Sequence, residues 1–152
     1  MDVIGEWWTL LIIRDLFYGI NTFDMLIKDL NISRNILTDR LKKLLGRGLI
    51  EKRSKEKRLR RKAYHLTPKG EDLFPIIMAL VSWGDRWEAP QGPPIIFQHQ
   101  PDGHLVHSKV ICSHCGEVLK PKDIKPAIGP GAKRLKSLPM TLRPHIGKDQ
   151  LK

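Results

Sequence analysis

The sequence predicts a mainly α-helical domain with one small β-hairpin, an α+β fold, followed by a small irregular or zinc-ribbon-like tail. Apolar residues recur at helical spacing in four stretches between residues 3 and 87. The interval from residue 49 to residue 66 follows the spacing of strands instead. Beyond residue 88, proline and glycine become frequent and both cysteines occur. We therefore expect a domain over residues 1–88, a linker and zinc-knuckle extension over 89–124 and an irregular basic tail over 125–152.

The first predicted helix runs from Val3 to about Tyr18, where Gly19 ends it. Its apolar side chains cover a broad face, and we expect the paired tryptophans to belong to the core. The apolar residues of this face are Ile4, Trp7, Trp8, Leu11, Ile12 and Leu16. A second, short helix is predicted from Phe23 to Leu30, with Thr22 as its N-terminal cap.

The third predicted helix follows after a turn of only two residues and runs from Ser33 to Gly48. Ser33 can cap its start, and Gly46 and Gly48 can end it. Five apolar residues share one face, which we expect to lie in the core: Ile36, Leu37, Leu41, Leu44 and Leu45. Polar residues that can reach phosphates or base edges occupy the start and the opposite face: Ser33, Arg34, Asn35, Thr38, Asp39 and Lys42. Two helices joined by so short a turn predict a helix-turn-helix whose second helix recognises DNA.

A strongly basic hairpin follows this helix. The first strand begins at Leu49, and the chain returns as a second strand from Lys62 to Leu66. Residues 51–62 hold eight positive and two negative side chains, or +6 of the net charge of +11. A wing that lies along the phosphate backbone needs such charge, and the wing residues that we predict to bind DNA are Arg58, Arg60 and Arg61. The alternative is that the tip of the hairpin is basic only to keep the protein soluble.

The last predicted helix begins at Thr67 and Pro68 and runs to Trp87. It is apolar on more than one side, and a domain this small cannot cover that surface alone. We therefore predict a homodimer formed mainly by the first and last helices. The predicted dimer contacts are Ile4, Trp7, Trp8, Ile77, Leu80, Val81, Trp83 and Trp87. A dimer would place two recognition helices on a two-fold-symmetric DNA site.

Composition indicates a polyanionic partner and gives no sign of a membrane protein. Lysine and arginine outnumber aspartate and glutamate 27 to 16. The longest apolar stretch, residues 7–13, is far too short to span a bilayer, and the start lacks the features of a secretory signal. We therefore expect a cytoplasmic protein. Because no histidine or carboxylate is spaced as a general base beside a nucleophile, we do not expect an enzyme.

Four segments of the chain together resemble a known family of regulators. They are DVIGEWWTLLIIRDLFYGINTFDML, ISRNILTDRLKKLLGRGLIEK, YHLTPKGEDLFPII and WGDRW, within about residues 3–88. In order and spacing they resemble the HxlR family of bacterial winged-helix transcriptional regulators, which are relatives of the MarR group. The resemblance implies a winged helix-turn-helix and a dimeric DNA-binding regulator that usually acts near its own gene, as repressor or activator.

The sequence leaves the inducing signal and one alternative function open. The signal could be a small apolar effector between the first and last helices, near Trp7, Trp8 and Trp83, or metal or oxidation at the tail. The alternative function is a basic adaptor or RNA-binding module without operator specificity. Binding that depends on salt but not on sequence would favour that alternative.

The tail has one half of a zinc site. The segment Cys112-Ser113-His114-Cys115-Gly116 has the form of a zinc knuckle, in which two thiolates hold the ion and the glycine lets the backbone turn. Candidates for the other half are His99, Asp102, His104 and His107. We predict a structural zinc ion held by Cys112, Cys115, His104 and His99, with a redox pair or no site as alternatives.

Overall fold

The computed structural model describes residues 4–54, 62–127 and 129–130 of the chain. The chain divides into two compact units, of which the first ends at Ser108 and the second begins at Lys109. The first unit contains, in order, α1 Trp7–Phe17, α2 Phe23–Leu30, α3 Arg34–Gly46, β1 Ile50–Ser54, β2 Lys62–Leu66, α4 Pro68–Glu71 and α5 Phe74–Trp87. A single turn of 3-10 helix in the second unit, Pro121–Asp123, completes the described elements. The predicted α+β fold is confirmed, but the boundary between units lies 20 residues beyond the predicted one at residue 88.

The first helix differs from the prediction in its start and in one tryptophan. It begins at Trp7 rather than Val3, because Glu6 is extended, with φ −98° and ψ 124°, and Gly5 before it is a poor helix former. Trp8 packs against the core, whereas Trp7 is 77% exposed, so its predicted place in the core was wrong. Trp7 is the first residue of α1 and points about 100° away from Trp8, which takes its ring off the buried side.

The predicted caps of the helix-turn-helix are present. Thr22 Oγ1 accepts a hydrogen bond from the Met25 N–H at 3.4 Å, and Ser33 Oγ accepts one from the Ile36 N–H at 3.3 Å. Between the two helices, Asn31 adopts a left-handed conformation with φ 47°, which asparagine tolerates better than most residues. The two helices are therefore joined by the short turn that the sequence predicted.

One side of α3 is fully buried and holds the helix in the core. Leu37, Leu41 and Leu44 form this side, together with the half-buried Leu45. Ile36 was predicted to join them, but it is 40% exposed. It lies 100° from Leu37 around the helix, which takes it beyond the buried side.

The second strand of the hairpin is bonded to the chain just before α2. The two strands pair antiparallel from Ile50 opposite Leu66 to Ser54 opposite Lys62. Ala63 forms a further β-bridge with Thr22, and the Tyr64 N–H donates to the Asn21 carbonyl at 2.7 Å. Ala63 and Tyr64 are consequently both buried, although neighbouring residues of a strand point to opposite faces of the sheet.

The predicted last helix is broken into α4 and α5 at residues 72–73. Pro75 explains the break, because a proline has no N–H to donate and its ring collides with the carbonyl four residues earlier, here that of Glu71. Thr67 caps α4 as predicted, accepting from the Gly70 N–H at 3.2 Å. The Thr67 hydroxyl also donates to the Gly48 carbonyl at 2.7 Å, which fixes α4 beside the end of α3.

Among the residues that the structure describes, Asp15 is charged and fully buried in the core. Asp15 Oδ1 accepts from Arg14 Nε at 2.9 Å and from Arg14 Nη2 at 2.7 Å. Burial nevertheless raises the pKa of the Asp15 carboxyl, and the hydrogen bond and charge of Arg14 oppose that rise.

Over the described residues, no helix is long and apolar enough to cross a bilayer.

Candidate nucleic-acid interface

The exposed face of α3 carries a row of polar side chains. Asn35, Thr38 and Lys42 lie at helical spacing on this face, and all three are exposed. The Thr38 hydroxyl donates to the Arg34 carbonyl at 2.7 Å, and its oxygen lone pairs remain available as acceptors. Since the opposite side of α3 is buried, these side chains are presented to solvent on a fixed support. The structure thus brings together these three predicted DNA-binding residues.

Arg34 lies at the first turn of α3 and leans towards α2. Its Nη2 is 3.3 Å from Asp24 Oδ1, and its guanidinium carbon is 5.5 Å from the centre of the Phe23 ring. Both partners of the ion pair are largely exposed, and such pairs contribute at most about 1 kcal/mol. The guanidinium can therefore exchange this contact for an acceptor on DNA at little cost.

Asp39 is exposed and takes part in a network of charges. Its Oδ2 is 3.2 Å from Lys43 Nζ, which is also 3.2 Å from Glu6 Oε1. Arg40 pairs with Glu6 as well. The network connects α3 to the residue before α1. The predicted contact of Asp39 with DNA stays a prediction.

Sequence reasoning missed two kinds of residue at this surface. Ile36 had been assigned to the core, yet it is exposed beside Asn35 at the start of the helix. Lys52 and Lys62 are exposed on the two strands of the hairpin and belong to the basic run that the sequence revealed. The tip residues predicted to bind DNA, Arg58, Arg60 and Arg61, lie outside the described residues. Only the folded hairpin shows that these two lysines are exposed on its strands.

The predicted dimer contacts fall into two groups. On α5, Trp83 is 56% exposed and Leu80 and Trp87 are also exposed, while Val81 is half-buried. Ile77 is only 7% exposed, because it belongs to the core of the single chain, and its predicted role in the interface stays a prediction. At the start of α1, Trp7 is exposed, whereas Trp8 packs partly against the core. Ile4, which precedes the helix, also packs partly against the core. An exposed apolar stripe nevertheless remains along α5 and at the start of α1.

A cavity of about 310 Å³ lies between α1, α5 and the segment after α5. Its lining includes Arg14, Tyr18, Val81, Gly84 and Phe97. The effector site had been expected near Trp7, Trp8 and Trp83, none of which lines this cavity. The cavity therefore lies at the other end of α1 from the paired tryptophans.

The predicted zinc ligands divide between the two units. His99 and His104 belong to the first unit, where both approach Asp102, and Cys112 and Cys115 belong to the second. The backbone N–H groups of Cys115 and His114 lower the pKa of the Cys112 thiol, as hydrogen bonds to a thiolate do. A hydrogen bond from His99 is the main cause of the lowered pKa of Asp102. The mixed ligand set remains a prediction.

A capped helix pair with an exposed polar face, followed by a two-stranded basic hairpin, defines a winged helix-turn-helix, a fold of DNA-binding regulators. Residues 3–92 match the HxlR-like helix-turn-helix family, and the chain belongs to that family. The predicted resemblance is thereby confirmed.

Relatives and solved structures agree with this family. An uncharacterised HTH-type transcriptional regulator of Mycobacterium tuberculosis is 39% identical over 134 residues, which cover 88% of this chain and 85% of that protein. The crystal structure of PA1607, a candidate transcription factor, superposes with a TM-score of 0.74 at 31% identity and covers 83% of this chain and 89% of its own. PA1374 of Pseudomonas aeruginosa, another candidate transcription factor, gives a TM-score of 0.60 at 32% identity, with 95% of both chains covered. The protein is therefore a transcriptional regulator, not an enzyme.

Proposed function

We propose that the protein is a homodimeric, sequence-specific regulator that binds operator DNA in the cytoplasm. The observation that carries this proposal is the exposed polar row of Asn35, Thr38 and Lys42 on a helix whose other side is fully buried. A helix fixed in this way can enter the major groove as a rigid body, so its side chains meet base edges in a constant register.

The first turn of α3 supplies the groups that distinguish bases. The amide of Asn35 can bond both N6 and N7 of an adenine, and Arg34 can bond O6 and N7 of a guanine once it leaves Asp24. Ile36, exposed beside them, offers an apolar contact to the methyl group of a thymine. These three side chains are our candidates for sequence recognition.

The hairpin contributes affinity for DNA that does not depend on the DNA sequence. Lys52 and Lys62 are exposed on its strands, and the sequence adds Arg58, Arg60 and Arg61 at its tip. Lysine and arginine that neutralise phosphates release counterions, so this part of the interaction weakens as salt rises. Ser33 and Lys42 can add phosphate contacts from α3.

The exposed stripe of α5 is the surface that we assign to the dimer. It carries Leu80, Trp83 and Trp87, large apolar side chains that a second copy could cover, with Trp7 of α1 as a further contact. A two-fold axis would place two copies of α3 about one turn of DNA apart, which matches a symmetric operator.

A direct test compares the DNA upstream of the protein's own gene with a shuffled DNA of the same composition and length. At about 0.15 M salt, the regulator should bind the upstream DNA at least tenfold more tightly, since specific binding usually exceeds non-specific binding by far more. Equal affinity for both DNAs would contradict the proposal and leave a basic adaptor or RNA-binding module.

A further inference from the structure

Three polar side chains converge on one tight hairpin of the first unit, outside the DNA-binding surface. His99 Nδ1 lies 2.9 Å from Asp102 Oδ1, and His104 Nδ1 lies 2.6 Å from the same oxygen. One donor atom from each residue falls within 4.8 Å of the other two. All three side chains are exposed, so an ion from solvent can reach them.

The backbone of this hairpin has the same hydrogen bonds as the zinc-knuckle segment of the second unit. The His99 N–H donates to the His104 carbonyl at 2.9 Å, and the Gly103 N–H donates to the His99 carbonyl at 2.7 Å. In the knuckle, the Cys112 N–H donates to Glu117 and the Gly116 N–H donates to Cys112, both at 2.8 Å. Every residue of one set lies 13 positions from its counterpart in the other.

Two further features extend this correspondence. The β-bridge of Gln98 with Leu105 is matched by that of Ile111 with Val118. Each turn also contains a glycine with positive φ, 71° in the first and 75° in the second, at equivalent positions. His99 and Asp102 therefore occupy, in their own turn, the two positions that the cysteines occupy in a CxxC knuckle. Those positions are the ones from which a knuckle holds a metal ion.

From this geometry we propose that His99, Asp102 and His104 bind one divalent transition-metal ion, of the zinc or cobalt type. Two imidazole nitrogens and one carboxylate oxygen form a donor set that such ions prefer, with water completing the coordination. Metal–ligand bonds of about 2.0–2.1 Å place tetrahedral donors roughly 3.3 Å apart. The distances from Asp102 Oδ1 to the Nδ1 atoms of His99 and His104 therefore need to lengthen by less than about 1 Å to admit the ion. The site shares His99 and His104 with the mixed cysteine–histidine set, but it uses Asp102 in place of the two cysteines.

The test uses the full-length, metal-stripped protein with both cysteines replaced, Cys112→Ser and Cys115→Ser, and Co²⁺ as the probe. This background should bind one Co²⁺ per chain in a titration followed by calorimetry. Adding Asp102→Asn or His104→Gln should weaken binding at least about tenfold, because even outer-shell partners of metal ligands change affinity by that factor. His107→Gln, which alters an exposed histidine of the same segment outside the cluster, should leave the affinity unchanged.

Magnetic resonance provides a second measurement that does not depend on the variants. Bound Co²⁺ should give the imidazole signals of His99 and His104 the large contact shifts of directly coordinated groups, and those of His107 only a smaller through-space shift. A background protein that binds no Co²⁺ would overturn the proposal and leave a hydrogen-bonded cluster of histidine and aspartate side chains. Binding that is indifferent to Asp102→Asn and His104→Gln would overturn it equally. Circular dichroism of each variant would verify that the helices are intact.

Discussion

At the residue scale, one glycine controls how closely the base of the wing approaches α4. A Cβ atom on Gly70 would lie 2.1 Å from the backbone oxygen of Leu49, and Leu66 is also near. The Leu49 carbonyl is held in place by the Thr67 N–H at 3.1 Å. Only a residue without a side chain permits this contact, so Gly70 determines the position of the hairpin relative to the last helices.

We expect Gly70→Ala to destabilise the protein by about 1–3 kcal/mol, the usual cost of forcing extra atoms into a packed site. Denaturant unfolding would measure it. The matched control is Gly46→Ala at the end of α3, where nothing lies within 4 Å of the added Cβ and the backbone is helical. That change should be neutral or stabilise by about 0.5–1 kcal/mol. Equal destabilisation by both changes would contradict the close approach at Gly70.

Asp15 should make stability depend on pH in a recognisable direction. Burial raises the pKa of its carboxyl in the folded chain. Between the unfolded pKa, about 3.9, and the folded pKa, the folded chain therefore binds more protons, and stability falls as pH rises through that range. Asparagine does not titrate, so Asp15→Asn removes this loss of stability with rising pH. The melting temperature of the variant, relative to that of the wild type, should therefore increase as pH rises from about 4. A difference that stays constant or decreases would show that Asp15 does not have the raised pKa.

At the scale of the element, α3 and the wing should have separable contributions to DNA binding. Asn35→Ala removes an exposed group of the polar row and should reduce discrimination between operator and unrelated DNA by about 1–3 kcal/mol. Affinity for unrelated DNA should hardly change. Titrations against both DNAs at one salt concentration measure the two effects.

The wing change Arg60→Ala should behave in the opposite way. It should weaken binding to all DNA alike and lower the slope of log affinity against log salt by about one. Its matched comparison is Asn35→Ala, measured on the same two DNAs. If both variants lost discrimination equally, the division between a recognition helix and a backbone-binding wing would be wrong.

Elements were predictable from sequence where the signal is local. Thr22, Ser33 and Thr67 each cap the helix that they were predicted to cap, because a hydroxyl before an apolar-periodic stretch acts on its own neighbours. The break before α5 also has a local cause in Pro75, which the periodicity alone concealed. Trp7 and Ile36 were misplaced because both border the buried side of a helix. Only the arrangement of the neighbouring elements decides which border residues the core covers.

At the scale of the whole molecule, the proposed dimer would use side chains that the single chain leaves exposed. We expect Leu80→Glu to convert the dimer to a monomer, because it places a charge in an apolar contact. The mass of the protein in solution, measured by sedimentation equilibrium, would report the change. Met25→Glu introduces the same charge at an exposed apolar residue of α2 and should leave the dimer intact. A monomeric wild-type protein would contradict the proposed assembly.

The residue at which the first compact unit ends was harder to predict than the helices and strands within that unit. Proline and glycine after residue 88 suggested a linker, yet the chain up to Ser108 belongs to the first unit. The Ser108 N–H donates to Ser82 Oγ at 3.1 Å, and the Phe97 ring lies 6.2 Å from that of Tyr18. Such contacts join residues far apart in the chain and leave no periodic signal. The convergence of His99, Asp102 and His104 was likewise visible only once the turn geometry was known.

The most direct test of sequence-specific regulation is a selection of genomic DNA fragments by the purified protein at physiological salt. The retained fragments would be sequenced. The account predicts enrichment of a few two-fold-symmetric sites, with half-sites about one turn of DNA apart and at least one site upstream of a neighbouring gene. Uniform retention of all fragments would contradict it, because a basic surface alone binds DNA without regard to sequence.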